Sequence, residues 1–265
     1  MTAVDYRTQT TLVTGASAGI GVEFARRLAE RGSDVVLVAR RRDRLEALAA
    51  ELTATYGVRA TAIALDLSLP AAGDTLATEV ARRGLCVTGL VNNAGFGTWG
   101  PFHESDGKRL AEEINLNVTN LVDVSRAFIE PLRAAGTGIL VNVASVAAYQ
   151  PIPNMAVYAA TKSFVLNFTE ALWQESLGTG LRVLALAPGA TSTEFFDVVG
   201  TTDAAAGSAM QTPQEVVATA LRTLDRRTPP PSVVSGRANR VGILASRFVT
   251  RRRTVLAVAA MLRSA

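Results

Sequence analysis

Thr11-Leu-Val-Thr-Gly-Ala-Ser-Ala-Gly-Ile-Gly21 decides the fold. Four residues suited to a strand run straight into three glycines. A helical repeat through Ile20, Phe24 and Leu28 then continues to about Arg31, where Gly32 stops it. Strand, glycine loop and helix in immediate succession is the context in which glycine spacing acquires meaning. Gly15 permits a tight turn, Gly19 lets the backbone approach a phosphate, and Gly21 permits close packing of helix on strand. The free N–H groups at the helix start then face a pyrophosphate. The spacing G-x-x-x-G-x-G departs from the G-x-G-x-x-G form of such loops.

Further strand-like runs follow. Val35 to Val38 ends in Ala39-Arg40-Arg41, Thr61 to Leu65 ends at Asp66, and Leu90-Val-Asn-Asn-Ala-Gly95 carries a strand and its exit. Strands alternating with helices predict an open, doubly wound parallel sheet with helices on both faces, a Rossmann-like α/β fold in a single domain. Ligands in such sheets bind at the carboxyl ends of the strands. At the end of the second strand an acid would hydrogen-bond a ribose 2′-hydroxyl. Arg40 and Arg41 instead suit a 2′-phosphate, with Ser17 as a further donor, so NADP(H) is expected over NAD. Asp66 is placed to accept from an adenine amino group. Ala94 and Gly95 leave room for a flat ring, and Asn93 ties the strand-loop junction.

A second chemistry-bearing stretch runs from Ser145 to Lys162. Gly138 to Val143 reads as a buried strand, and Pro151 and Pro153 delay the next helix. On that helix Tyr158 and Lys162 stand four apart, on one face. A phenol titrates near pH ~10, and a nearby ammonium is expected to lower that value toward the working range. The Ser145 hydroxyl can bond the same substrate oxygen. Only two lysines, Lys108 and Lys162, occur among 27 basic residues, so a titratable ammonium at this spot stands out.

Composition excludes several alternatives. One cysteine, Cys86, allows neither an intrachain disulfide nor a thiolate zinc site, and a single histidine, His103, makes a His-based metal cluster improbable. No metal is expected. No G-x-S-x-G elbow accompanies His103, which is expected in a loop. No apolar run reaches the ~20 residues that span a bilayer, and the amino-terminal stretch lacks a leader pattern, so a cytoplasmic protein is expected. The formal charge of +4 is uneven. Residues 226–265 hold nine arginines and no acid, which leaves the first 225 residues at −5.

Thr14-Gly-Ala-Ser-Ala-Gly-Ile-Gly21, Asn92-Asn-Ala-Gly95, Ser145 and Tyr158-x-x-x-Lys162, in this order, closely resemble the short-chain dehydrogenase/reductase superfamily in its single-domain form, over roughly residues 8–195. The resemblance implies four catalytic residues. Tyr158 is the general acid/base, Lys162 tunes it and bonds the nicotinamide ribose, Ser145 orients the substrate oxygen, and Asn117 fixes a water in a proton relay. Asn117 lies in Asn-Val-Thr-Asn120, and Asn115 is a less suitable candidate. Cofactor contacts are implied at Gly15, Ser17, Ala18, Gly19, Ile20, Gly21, Arg40, Arg41, Asp66, Leu67, Asn93, Ala94, Gly95, Tyr158, Lys162, Pro188 and Gly189. Thr191 or Thr193 would meet the nicotinamide carboxamide. A homodimer or homotetramer is implied through the long helices.

A helix from about Gly107 to Ala135 contains Asn115, Asn117 and Asn120, amides that bend it or hold a water. A helix from about Met155 to Leu177 is predicted to bury Val157, Thr161, Phe164, Phe168 and Leu172. Residues 190–211, with Phe195-Phe196, read as a mobile substrate flap within a domain spanning 1–236. Thr212-Pro-Gln-Glu215 is a capping box opening a helix, and Ser232 to Ser235 a last short strand. Residues 237–265 read as a basic amphipathic helical extension that lies on an anionic membrane surface, walls the substrate or packs on a sister subunit. Nucleic acid is not an expected partner, since aromatics are scarce there.

These readings converge on an NADP(H)-dependent oxidoreductase that interconverts a carbonyl and a secondary alcohol, a ketoreductase whose expected substrate is hydrophobic, a steroid-like or acyl-chain ketone. The alternatives are a catalytically silent NADP-sensing regulator and a membrane-surface interaction protein.

Overall fold

The computed structural model describes residues 4–205 and 207–264. In chain order, β1 (Thr10–Thr14) leads to α1 (Gly19–Glu30), β2 (Asp34–Ala39), α2 (Arg42–Tyr56), β3 (Ala60–Ala64), α3 (Ala72–Arg82) and β4 (Gly89–Asn92). Then come α4 (Gly107–Ile114), α5 (Asn120–Ala134), β5 (Ile139–Val143), α6 (Ala156–Glu175) and β6 (Arg182–Ala187). The chain continues through α7 (Phe195–Val199), α8 (Pro213–Leu224), β7 (Ser232–Val234), α9 (Arg237–Ser246) and α10 (Arg251–Ser264).

Seven strands form one sheet in the order β3-β2-β1-β4-β5-β6-β7, every pair parallel. Strands of a parallel sheet covered on both faces need apolar side chains on both, and successive residues point to opposite faces. Val13, Leu37 and Val141 pack into one layer with Phe24, Leu28, Leu52, Val217 and Leu221. Their neighbours Leu12, Val36 and Leu140 pack into the other with Leu76, Val124, Phe128 and Leu132. Because β1 pairs with both β2 and β4, the winding reverses beside β1, and a crevice opens at the carboxyl ends of β1 and β4.

Four features differ from the sequence expectations. The expected single helix over 107–135 is two helices, α4 and α5, joined by a π-helical turn, Asn115–Thr119, which the Asn120 N–H closes onto the Asn115 carbonyl. The expected stripe on α6 holds in part. Thr161 is buried and Phe168 and Leu172 are half-buried against the core, while the helix also buries Ala159, Lys162, Val165, Leu166 and Thr169; Phe164 is instead exposed and stacks on Phe168 at 5.8 Å between ring centroids. Large aromatics mark a core only if the helix turns that face inward, and α6 turns its smaller residues to the sheet. Residues 190–211 contain α7 and a 3-10 turn at Asp203–Ala205, and a bridge between Thr191 and Gln211 closes them into a loop. The tail is two helices rather than one; Ala265 lies outside the described residues.

The capping box is present as expected. Thr212 Oγ1 accepts from the Glu215 N–H at 3.3 Å, and Glu215 Oε2 accepts from the Thr212 N–H at 2.8 Å. Thr212→Ala leaves helix-start donors unpaired and is expected to destabilise the fold by about 1 kcal/mol, lowering Tm by about 2–4 °C in a thermal melt.

Candidate active site

Local chemistry at the crevice begins with backbone that only glycine adopts easily. Gly15 and Gly19 have φ of +66° and +54°. A Cβ on Gly21 would collide with the Gly15 carbonyl, and one on Gly19 would lie 2.7 Å from Thr193 Cγ2. Thr14 and Asn93 hold this loop to the neighbouring strand. Thr14 Oγ1 accepts from the N–H groups of Asn93 (2.9 Å) and Ala94 (3.0 Å), and Asn93 Nδ2 donates to the Thr14 carbonyl at 3.0 Å.

At the far end of the crevice, Arg41 donates to Ser17 Oγ from Nε (3.2 Å) and Nη2 (3.0 Å), and its Nη1 bonds Glu194 at 2.7 Å. Arg44 reaches the other oxygen of Glu194 at 2.6 Å. Arg40 is exposed. Burial opposes ionisation of Asp66, but the N–H and O–H of Ser68, at 2.9 and 2.7 Å, together with the Arg40 charge, hold its carboxyl below the usual range. Leu67 is buried, and its carbonyl accepts from Asn120 Nδ2.

Ser145 caps the turn that follows β5, its Oγ accepting from the Ala147 N–H at 3.1 Å, and its hydroxyl is close enough to the Tyr158 phenol to influence its ionisation. The side chains of Tyr158, Phe195 and Met155 converge on Gly97. The Tyr158 ring centroid is 5.4 Å from that of Phe195, and a Cβ on Gly97 would sit within 3.2 Å of all three side chains. Lys162 is buried, donates from Nζ to the Val143 carbonyl at 2.8 Å and stands 5.8 Å from the Tyr158 ring centroid.

The electrostatics differ from the expectation that the ammonium lowers the phenol. Burial pushes Tyr158 up to about 12; the neighbouring Ser145 hydroxyl opposes this and the Glu113 charge adds to it. Burial likewise pushes Lys162 down to about 8, with Glu113 opposing. Desolvation is the largest influence on both groups, so the phenol holds its proton.

Asn117, in the π-helical turn, does not point to solvent. Its Nδ2 donates to the Phe96 carbonyl (2.8 Å) and to Thr161 Oγ1 (3.1 Å), and its Oδ1 accepts from the Phe96 N–H at 3.1 Å. Pro188 accepts from the Val146 N–H at 2.9 Å, and Gly189 packs tightly on Asn239. Thr191 Oγ1 is turned back to the Gly189 carbonyl, while Thr193 lies on Gly19. Of the two, Thr193 is the one against the glycine loop. Three residues near the site were absent from the sequence analysis. They are Gly97, Glu194 and Glu113, a fully buried acid whose Oε2 accepts from Thr98 Oγ1 at 2.6 Å while Oε1 has no hydrogen-bond partner among the described residues. One signal was available for Glu113: it lies four residues before Asn117, on the same helix face.

Glycines too crowded to carry a side chain, beside a guanidinium and hydroxyl at the end of β2, fit a nicotinamide dinucleotide. A protonated phenol, a hydroxyl and an amine beside them fit a carbonyl or alcohol oxygen. The comparisons agree. A family model described as short chain dehydrogenase matches residues 9–204. The chain is 38% identical over 201 residues to sulfoacetaldehyde reductase 2 of Chromohalobacter salexigens, a match spanning 75% of this chain and 79% of that protein. It is 30% identical over 233 residues to 7beta-hydroxysteroid dehydrogenase of Collinsella aerofaciens, spanning 86% of each. A solved short-chain dehydrogenase from Sphingobium yanoikuyae in complex with NADPH matches with a TM-score of 0.79 at 35% identity, over 91% of this chain and 93% of that one. Fold and site together define an oxidoreductase acting on CH–OH groups. The chain belongs to the short-chain dehydrogenase family.

The buried amine has a measurable signature. The unfolded chain binds a proton at this lysine up to about 10.5, the folded chain only up to about 8. Between those values the unfolded state holds more protons, so Lys162 makes stability rise with pH through that window. Lys162→Met removes the slope: the stability difference between the two proteins shifts in favour of wild type from pH 8 to 10.5, read from paired urea unfolding curves.

Proposed function

We propose that this protein is an NADP(H)-dependent reductase of a bulky, hydrophobic ketone, able to run in the alcohol-oxidising direction as well. One arrangement carries the reading: the Tyr158 phenol packs on Phe195 at 5.4 Å between ring centroids, with Ser145 beside it and the buried Lys162 one helical turn along α6, and burial favours its protonated form. Such a phenol is a proton donor, which is what a carbonyl oxygen requires as negative charge develops on it. The nicotinamide cofactor supplies or accepts the hydride when bound. Tyr158 delivers the proton to the substrate oxygen, and Ser145 orients that oxygen. Lys162 contributes positive charge behind the phenol. Asn117 keeps the Phe96 loop against α6.

The Ser17 and Arg41 donors favour the 2′-phosphorylated cofactor, in keeping with the NADPH complex of the Sphingobium yanoikuyae relative. Asp66 and Leu67 take the adenine, and Thr193 the nicotinamide amide. A hydrophobic substrate is in keeping with the name of the 7beta-hydroxysteroid dehydrogenase relative and with the Phe195-Phe196 pair. Phe164, exposed on α6 and stacked on the half-buried Phe168, supports assembly into a homodimer or homotetramer, and the cytoplasm is the location we propose.

The test is turnover of a ketone panel by wild type and Tyr158→Phe with NADPH and with NADH. The expected result is activity with NADPH that falls by about 10²–10⁴-fold in the variant while NADPH binding persists. Equal activity of the two proteins would refute the assigned acid, and wild type that binds NADPH without turnover would favour a sensing role.

A second reading concerns the tail. Val241, Leu244 and Phe248 recur at helical spacing on the outer side of α9 and just beyond, 67%, 57% and 88% exposed, with Arg237, Arg240, Arg247 and Arg251 to Arg253 around them. No helix among the described residues is long and apolar enough to cross a membrane. An apolar ridge flanked by arginines and no acid suits the surface of an anionic bilayer. Co-sedimentation with vesicles containing phosphatidylglycerol, but not with phosphatidylcholine alone, is expected, with loss in Leu244→Ala/Phe248→Ala. Absence of sedimentation, or a change of oligomeric state in the variant, would turn the ridge into a subunit contact.

A further inference from the structure

Glu194 keeps unusual company for a half-exposed acid. Two guanidiniums from the start of α2, Arg41 and Arg44, each take one of its oxygens, at 2.7 and 2.6 Å, and Arg41 simultaneously donates to Ser17 Oγ in the glycine loop. Guanidinium forks with a hydroxyl beside them are a donor set for a phosphate group. The acid that fills it comes from far along the chain, in the strap after β6. Its neighbours matter as well. Thr193 packs on Gly19, and Phe195 packs on Tyr158 and Gly97. Three consecutive residues therefore touch the glycine loop, the guanidinium pair and the candidate acid.

We propose that Glu194 is a cofactor-selectivity residue, whose carboxylate occupies Arg41 and Arg44 in place of the adenosine 2′-phosphate and releases them when a 2′-phosphorylated cofactor binds. The proposal rests on the NADP(H) reading. The three side chains are 40–46% exposed. Ion pairs this open are individually weak. A phosphate approaching two charges, with three acceptor oxygens, outcompetes one carboxylate for two arginines. A cofactor with a 2′-hydroxyl brings no such charge and leaves both pairs in place. Glu194 thus sets how strongly a phosphate must bind to be accepted. Its release also loosens the strap that carries Phe195, so an event at the adenosine end is felt beside Tyr158.

The test uses two fragments that lack the nicotinamide, adenosine 2′,5′-bisphosphate and 5′-AMP, with calorimetric binding to wild type and Glu194→Gln and hydrogen exchange over 190–200. The glutamine is expected to tighten the bisphosphate about fivefold, removing a competing pair of the size surface ion pairs have, and to leave 5′-AMP unchanged. In wild type the bisphosphate, and not 5′-AMP, is expected to raise amide exchange in the strap. Unchanged bisphosphate affinity in the variant, with wild type still preferring bisphosphate to 5′-AMP, overturns the Glu194 assignment and leaves the NADP(H) reading standing. Weaker binding of both fragments overturns it too, since the carboxylate would then be a clasp over bound cofactor. Wild type with no preference between the fragments overturns both.

Discussion

Everything at the crevice depends on one threonine hydroxyl. Thr14 Oγ1 accepts from two successive N–H groups, of Asn93 and Ala94, and donates to the Val91 carbonyl at 3.4 Å. It joins the carboxyl ends of β1 and β4 at the place where the winding reverses and the sheet stops supplying ladder partners. Backbone donors and acceptors leaving a buried strand must be satisfied somewhere. Here a side chain and the Asn93 amide do it, and the glycine loop is thereby held at a fixed distance from the Ala94–Gly97 loop. The two walls of the crevice are one hydrogen-bonded unit.

A second polar lattice stiffens the strands beneath. Asn92 Nδ2 donates to Asn142 Oδ1 on the neighbouring strand and to Ser125 Oγ on α5, and Asn142 Nδ2 donates to Thr169 Oγ1 on α6, all near 3.0 Å. Buried amides that find all their partners specify one register, because a slipped strand would leave them unpaired. The Asn117 contacts with Phe96 do the same for the loop above, and Arg109 stacks its guanidinium 3.8 Å over the Phe96 ring. Tyr158 thus meets one wall tied to the sheet through Asn117 and a second, Phe195, carried by the strap after β6.

What was legible in the sequence was local. The glycine loop, the Tyr158–Lys162 spacing, the capping box and the parallel strands each express a rule acting within a few residues, so their signal survives without coordinates. Partnerships between distant segments left no such trace. Glu194 and Arg41 are 153 positions apart, and nothing near either residue announces the other. Glu113 sits in the sequence as one more helix acid, because its burial depends on where α4 is laid. The π-helical turn was visible only as an excess of asparagines. Phe164 was misassigned because hydrophobicity says a side chain can be buried, not that it is. The electrostatic balance at Tyr158 went the same way: proximity of an amine could be read, whereas the depth of both groups could not.

The burial of Lys162 has a practical side. This chain has two lysines, and Lys162 is only 5% exposed, with its Nζ turned to the Val143 carbonyl, while Lys108 stands in the open at the start of α4. Among the side-chain amines, a reagent that acylates such groups therefore meets a single accessible target. Coupling to a resin or a dye through Lys108 attaches the protein in one orientation and spares the amine beside the phenol.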